Sequence, residues 1–583
     1  SPSSAASDVY KRQLIGFEDR GPTLEVLITR LLHEIPNAQI LALSATVSNA
    51  YEIAEWLDAK VININWRPVP LKEGVFFQHK IYFANGEASR VRRLTGSPRI
   101  DLVLDEIMNG GQAIAFMRTR TDAVKTAIKI AEAIKENPLI RRSLNETELK
   151  KLSDRVLVEG ERTQLSDMLS SLIKFGVAFH HAGLSSIHRS LIENAFREGK
   201  LKALTATPTL AAGVNLPSRR VIITYLSRYS MGFSQPLSVF EYKQMAGRAG
   251  RPRYDEYGEA VLIARSRNEM EYLNEAYVMG EPERITSRLV NREILEMHVL
   301  GLIASKQMIE KSEVLTFFEN TLCYKQHPPR VIKRELNFAI RSLIEGELAD
   351  FDGDKLFPTK FGKRVSELYI SPSTGILFKR NLEKMSGDES SLQYLLLICK
   401  SIDMPLFSVN RREVRKIENL IMELGIIDEE LHHLSYDEYI EAIKRIKTAI
   451  VLNEWIDEVG EDRILVEWGV EPGDIHSAAY SAEWLLYAAS QIASLLNNFS
   501  AAKALKILSD RMRYGVREEL LELVQLQGIG RVRARLLYRA GFKSIKDIAA
   551  ADLVRLTSIP GIGATIAKSI REQARELMKQ KES

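Results

Sequence analysis

Apolar positions follow two regimes along the chain. Up to about residue 283, short apolar runs such as Ile40-Leu-Ala-Leu43, Gln112-Ala-Ile-Ala-Phe116 and Val221-Ile-Ile223 alternate with stretches of helical spacing. Leu24, Leu27, Ile28, Leu31, Leu32 and Ile35 make one such stretch; Ala123, Ala127, Ile130 and Ala131 make another, and Ile187, Leu191, Ile192 and Phe196 a third. Buried strands interleaved with amphipathic helices predict α/β lobes. Leu102-Val-Leu-Asp-Glu-Ile-Met108 looks like a strand carrying an acidic pair, but Ile100, Val103, Leu104 and Ile107 recur at helical spacing and predict a helix. From about Arg284 the alternation gives way to helices.

Three helices, around 294–303, 314–318 and 332–343, precede a glycine-centred hairpin over Leu348–Phe357, the outline of a winged-helix domain. Residues 376–498 read as a helical bundle. Within it Ile475, Ala478, Ala479, Ala482, Leu485, Leu486 and Ala489 form one buried stripe, while His476, Tyr480, Trp484, Tyr487 and Gln491 form a second on another face. Aromatics on a second face suit base stacking. The tail repeats itself, Leu526-Gln-Gly-Ile-Gly530 and Ile559-Pro-Gly-Ile-Gly563 each standing between helical segments, the pattern of paired helix-hairpin-helix units. Gly528 and Gly530 allow a turn whose backbone N–H groups meet DNA phosphate, with Arg531, Arg533 and Arg535 following.

The 583 residues imply several domains, and the 45% hydrophobic and 27% charged fractions are those of a globular protein. No apolar run is long enough to cross a bilayer. Eighty basic against 76 acidic side chains leave a net charge of +4, so any polyanion site must be local. The two cysteines, Cys323 and Cys399, offer neither a disulfide framework nor a zinc site, and the adjacent His180 and His181 point to opposite faces of a strand, so no metal site is expected. Two β-rich runs around Ser230-Met-Gly232 predict a hairpin with an apolar tip of Tyr229, Met231 and Phe233.

The chemistry concentrates in Gln244-Met-Ala-Gly-Arg-Ala-Gly-Arg-Pro252. Arg248 and Arg251 present guanidinium forks that match phosphate oxygens, and Gly247 and Gly250 admit close backbone approach. Upstream stand Thr205-Ala-Thr-Pro-Thr-Leu-Ala-Ala-Gly-Val-Asn-Leu-Pro217 and Ser44-Ala45-Thr46. These strings, in this order, resemble motifs III, V and VI of superfamily-two helicases, motors with two RecA-like lobes and ATP between them. Adding Leu14-Ile-Gly16, Arg20-Gly-Pro-Thr-Leu-Glu25 and Trp66-Arg-Pro-Val-Pro-Leu71, the chain from Leu14 onward resembles the archaeal Holliday-junction-migration (Hjm) DNA helicases.

The resemblance implies arginine fingers at Arg248 and Arg251, with Gln244 near the γ-phosphate. It implies ATP coupling through Ser44, Thr46, Gly213 and Asn215, and strand contacts from Thr205, Thr207, His476, Tyr480 and Trp484. It also implies a duplex-parting pin at Tyr229, Met231 and Phe233. Ser477 departs from the family, which has an arginine there. Residues 1–13 read as a non-native leader, 14–68 as the end of the first RecA-like lobe and 69–283 as the second. Residues 284–375 read as the winged helix, 376–510 as the ratchet bundle and 511–583 as the helix-hairpin-helix domain.

No G-x-x-x-x-G-K-[ST] occurs, and Tyr10-Lys-Arg-Gln13 stands where the family has its Asp-Glu-x-His box. ATP and Mg²⁺ are therefore expected to need a missing N-terminal lobe, and the chain itself to be inactive as an ATPase. The family implies a monomeric 3′-to-5′ helicase on forked and recombination DNA in repair and replication restart, cytoplasmic and nucleoid-associated, with replication or recombination proteins as partners. The alternatives are a non-catalytic DNA-binding remnant and an RNA helicase of the exosome-assisting kind.

Overall fold

In the computed structural model the described residues are 20–35, 37–43, 47–64, 66–210, 214, 216–230, 233–252, 254–424 and 434–582. The chain divides into two compact units, Ser1–Leu289 with Phe317–Pro328, and Val290–Thr316 with Pro329–Ser583.

The first unit is built on strands β1 (Leu71–Phe77), β2 (Lys80–Phe83), β3 (Ala88–Arg90), β4 (Ala113–Phe116), β5 (Val177–His180), β6 (Ala203–Ala206), β7 (Arg220–Ile223) and β10 (Gly258–Ile263). Between the last two, β8 (Ser227–Ser230) and β9 (Phe233–Pro236) pair as a separate antiparallel hairpin. The main sheet runs β3-β2-β1-β10-β7-β4-β6-β5. Every pairing from β1 through to β5 is parallel, and β2 and β3 add an antiparallel edge. Helices on both faces bury a parallel sheet completely, which is why β4, β5, β6 and β7 are buried at every residue and read as continuous apolar runs.

Residues Pro98–Met108 are the helix that the spacing predicts. Its acidic pair serves the fold. Arg220, 3% exposed at the start of β7, places Nε 2.6 Å from Glu259 and Nη1 3.2 Å from Asp105, and donates from Nη1 to the Leu102 carbonyl. Glu106 lies 3.5 Å from both Arg219 and Arg220, and burial pushes its carboxyl up to about 7 against the pull of those two cations.

The helices Gly21–Glu34 and Ala50–Trp56 share a small core of Leu24, Ile53, Trp56 and Leu57 with Ile285 and Leu322. Glu25, fully buried, accepts from the Ser287 hydroxyl and the Cys323 amide, both at 2.6 Å, and burial pushes its carboxyl up to about 7. The apolar run Ile40–Leu43, expected as a strand, is not one. Among the described residues a single β-bridge is recorded there, at Leu43, and Leu41 is 65% exposed.

One glycine decides where the arginine-bearing loop can sit. A Cβ on Gly258, the first residue of β10, would stand 2.3 Å from the Ala249 carbonyl carbon and the Gly250 nitrogen. That loop therefore lies directly on the strand's start. Gly250, with φ +92°, in turn leaves no room for a Cβ beside Val69.

In the second unit, helices Arg292–Lys306 and Pro329–Glu345 pack with a sheet of β11 (Ile309–Glu310), β13 (Lys355–Pro358) and β12 (Ala349–Asp352), in that order, so the winged-helix outline is present. The bundle contains helices Ser391–Cys399, Tyr436–Ile456, Pro472–Leu495 and Phe499–Tyr514. All seven residues of the expected stripe from Ile475 to Ala489 are buried. The tail places helices Arg531–Arg539, Ile545–Ala550, Leu553–Thr557 and Ala564–Glu582 around Leu523, Ile529, Leu537, Ile548, Leu556, Ile562 and Ile570.

Two outcomes follow from this packing. Gly258→Ala should destabilise the first unit by about 1–3 kcal/mol, because backbone cannot yield as a side-chain tip can; denaturant unfolding measures it. For Glu25, whose folded value lies above the ordinary carboxylate range, the stabilisation is full below about pH 4.5 and is lost as pH rises through about 7. Glu25→Gln should therefore match the wild type near pH 4.5 and exceed it near pH 8, by at most about 3 kcal/mol; melting curves across that range check the sign.

Candidate functional site

The arginine loop starts at the end of helix Val239–Ala246, which is entered through a capping box of Ser238 and Glu241. Past Gly247 the chain zips to the segment before β7: Ser218 donates its amide to the Arg248 carbonyl at 3.0 Å, and Gly250 donates to the Ser218 carbonyl at 2.7 Å. Arg67 closes the other side, donating from Nη2 to the Gly247 and Ala249 carbonyls at 2.9 and 2.8 Å. The threonine-rich loop that ends just before Ser218 and the arginine loop are thus joined backbone to backbone.

The two arginines differ. Arg248 is half-buried, and loss of water holds its guanidinium below the ordinary value. Arg251 is tied within its own lobe, chelating Asp255 through Nε at 2.8 Å and Nη2 at 2.7 Å and donating to the Gln112 side chain. The resemblance implies a finger at each position, and here the Arg251 guanidinium is held by Asp255. Asp255 lies four residues on, and a carboxylate at that distance competes for the fork that phosphate would use. Gln244 is half-buried on the same helix.

Thr205 is also corrected. It lies inside β6, 0% exposed, with its hydroxyl donated to the Ala123 carbonyl at 2.8 Å, so it cannot touch a strand. Thr207 follows that strand with its hydroxyl 3.0 Å from that of Thr209. His180 contacts Glu193 at 2.9 Å while His181 stacks on Phe179, the opposite-face arrangement expected. Ser44, Thr46, Gly213, Asn215 and Met231 lie outside the described residues, as do the side chains of Tyr229 and Phe233. The hairpin that carries the last two is present.

In the second unit the aromatic face of helix Pro472–Leu495 opens onto a groove of about 670 Å³. Tyr480 is 77% exposed. Trp484 is half-buried, its indole N–H donated to the Leu368 carbonyl at 2.9 Å, which fixes the ring while one side faces the groove. His476 bonds Glu461 at 2.9 Å and meets Trp455 edge-on at 5.1 Å. The sequence reading missed the opposite wall, Lys506, Asp510 and Arg513 of helix Phe499–Tyr514. Their three- and four-residue spacing was the available signal. Lys506 pairs with Asp510 and Arg513 with Glu483, both at 2.7 Å.

In the tail, Gly528 has φ +86°, Gly530 precedes helix Arg531–Arg539, and nothing stands within 4 Å of where a Cβ on either would be. Their backbone is thus open to a ligand. The arginines after them are not arranged as expected. Arg531 is 9% exposed and lies over Trp455 at 4.1 Å. Arg533 donates to the Gly528 and Gly561 carbonyls at 2.8 and 3.0 Å, lacing the two hairpins together. Arg535 chelates Glu458 at 2.6 Å and reaches Glu519 at 2.8 Å. Each guanidinium is spent on an internal acceptor or ring, so none is a ready phosphate contact.

Among the described residues no group of three or more histidine, cysteine, aspartate or glutamate side chains could hold a metal, and no helix is long and apolar enough to cross a membrane. Three stretches match known families: residues 140–253 a helicase conserved C-terminal domain, 392–515 domain 4 of archaeal helicases, and 520–576 a SAM-like helix-hairpin-helix tandem. The ATP-dependent DNA helicase Hel308 of Caldivirga maquilingensis is 38% identical over 97% of this chain and 76% of its own length. Those of Pyrobaculum calidifontis and Pyrococcus abyssi are 37% and 38% identical over 97% and 96% of this chain and 78% and 76% of theirs. A lobe whose arginine loop is zipped to its threonine loop, an aromatic groove and a doubled hairpin tail accompany that likeness, and the chain belongs to the Hel308 family of archaeal ATP-dependent DNA helicases.

Proposed function

We propose that this chain supplies the second RecA-like lobe and the strand-holding surfaces of a 3′-to-5′ helicase that opens forked and recombination DNA beside the nucleoid, in repair and replication restart. The observation that carries the reading is the groove, where exposed Tyr480 and a fixed Trp484 face the cations Lys506 and Arg513. Aromatic faces with cations opposite them suit an unpaired strand whatever its sequence. The open Gly528–Gly530 turn adds a phosphate contact through backbone N–H groups.

ATP, when bound, supplies the phosphoryl transfer that drives movement. Arg248 fits a phosphate, being half-buried where its charge is poorly screened, and is the finger in this reading. Arg251 is a positioning residue that locks the loop through Asp255 and Gln112. Gln244 presents its amide from the helix before the loop, and Gly213 and Asn215 carry the nucleotide state along the loop joined to it. Mg²⁺ would accompany the nucleotide, held mostly by its phosphate oxygens and water with one or two carboxylates. In this reading the pin at Tyr229, Met231 and Phe233 parts the duplex.

Trp484→Ala should weaken binding of 3′-tailed fork DNA about tenfold, within the 1–3 kcal/mol of one stacked base. Fluorescence anisotropy reads it, and unchanged affinity, or tighter binding to a matching RNA fork, removes the DNA-strand assignment. The chain itself, without a P-loop, should show no DNA-stimulated ATP hydrolysis. Joined to the P-loop-bearing lobe of a relative it should gain hydrolysis and unwinding of 3′-tailed but not 5′-tailed duplexes, and Arg248→Ala should lower the hydrolysis rate about 10³-fold.

A further inference from the structure

The aromatic groove carries more than two cations and a row of rings. Its lining also holds two carboxylates, Glu483, one residue before Trp484 on helix Pro472–Leu495, and Asp510 on helix Phe499–Tyr514. Glu483 reaches across to Arg513, and Asp510 meets Lys506 four residues back on its own helix, each pair closing at 2.7 Å. The Glu483 carboxylate holds the Arg513 guanidinium above its ordinary value. Both cations that face the rings are thus engaged by carboxylates of the same groove.

The fold does not depend on either pair. The two helices pack against each other on buried apolar residues, and the Ser509 hydroxyl donates to the Glu483 carbonyl at 3.0 Å. The side chains of Lys506, Asp510 and Arg513 are 50%, 40% and 57% exposed, and ion pairs in such positions add little to stability. Their effect falls on a ligand instead. A phosphate that reaches for Lys506 or Arg513 must first displace a carboxylate from the same donors. Stacking on Tyr480 and Trp484 involves no such exchange, because neither ring carries a net charge.

Resting on the reading of this groove as the seat of an unpaired strand, we infer that Glu483 and Asp510 set the strength of its grip, competing with strand phosphates for Arg513 and Lys506. A strand that moves through a groove needs contacts that form and break in turn. Each carboxylate retakes its cation when a phosphate leaves, which lowers the net gain of every phosphate contact. It also lowers the number of counterions released on binding, since a cation already paired within the protein holds fewer of them. The rings keep the strand in place, and the carboxylates keep the hold loose.

The test measures binding of a single-stranded thymidine oligomer to the 583-residue chain by fluorescence anisotropy across a salt series. Glu483→Gln and Asp510→Asn break only exposed pairs, so both variants should fold. Each should tighten binding about threefold, in keeping with the small worth of an exposed pair. Each should also steepen the slope of log K against log salt by up to about 0.7, one more phosphate contact on a single strand. The gain should appear mainly as slower dissociation in a competitor chase. Glu159→Gln, which breaks an equally exposed pair with Arg155 in the first unit, should change neither reading. If it tightens binding as much, net charge alone is at work and the inference fails. A carboxylate whose amide leaves affinity and slope unchanged, or weakens binding, has no such role. Trp484→Ala in the same assay separates this inference from the reading beneath it. If Trp484→Ala weakens binding while neither amide tightens it, the strand lies in the groove and the carboxylates do not govern it. If Trp484→Ala leaves affinity unchanged, the groove is not the strand's seat and both fall together.

Discussion

The first unit depends on a contact between backbones. Where β10 begins, the chain at Gly258 touches the chain at Ala249 and Gly250 with no space for a methyl group, and the same loop hydrogen-bonds in both directions to Ser218. This brings together three segments between residues 217 and 258: the strand start, the arginine loop and the end of the threonine loop. A side-chain contact would tolerate adjustment; backbone on backbone does not. The position of Arg248 is therefore set by the sheet itself and shifts only if the sheet does.

Arginine in this protein is largely a structural tie. Arg220 holds a buried carboxylate group beneath β7, Arg251 closes a ring with Asp255, Arg533 laces two hairpins, and Arg535 grips Glu458. A guanidinium has five donors in a plane, so it can bind two or three acceptors in different elements at once, which lysine cannot. The near balance of 80 basic and 76 acidic side chains is compatible with this use.

The elements were largely legible in the sequence because periodicity reports burial directly. The runs at β4 and β7, the stripe from Ile475 to Ala489 and the doubled hairpin all appear where their patterns lie. The helix over Pro98–Met108 was separable from a strand by spacing alone. What stayed hidden was which acceptor each polar group would meet. Thr205 looked like a strand contact because threonine suits phosphate, but its place inside a fully covered sheet turns its hydroxyl to a neighbouring helix. Arg531 and Arg535 looked like phosphate ligands because they follow a turn, while their partners, Trp455 and Glu458, sit some 75 residues away. Ile40–Leu43 shows the converse, a strand-like run with no more than a single bridge among the described residues.

Trp455 has so far been noted only as a neighbour. Its indole N–H is donated to the Met512 carbonyl, its ring fills the space that a side chain at Gly515 would need, Arg531 lies over its face, and His476 meets its edge. One ring is thus the common bearing for the tail and for the helix that carries the exposed tyrosine. A substitution at Trp455 would therefore loosen the seat of the tail and of the aromatic row together.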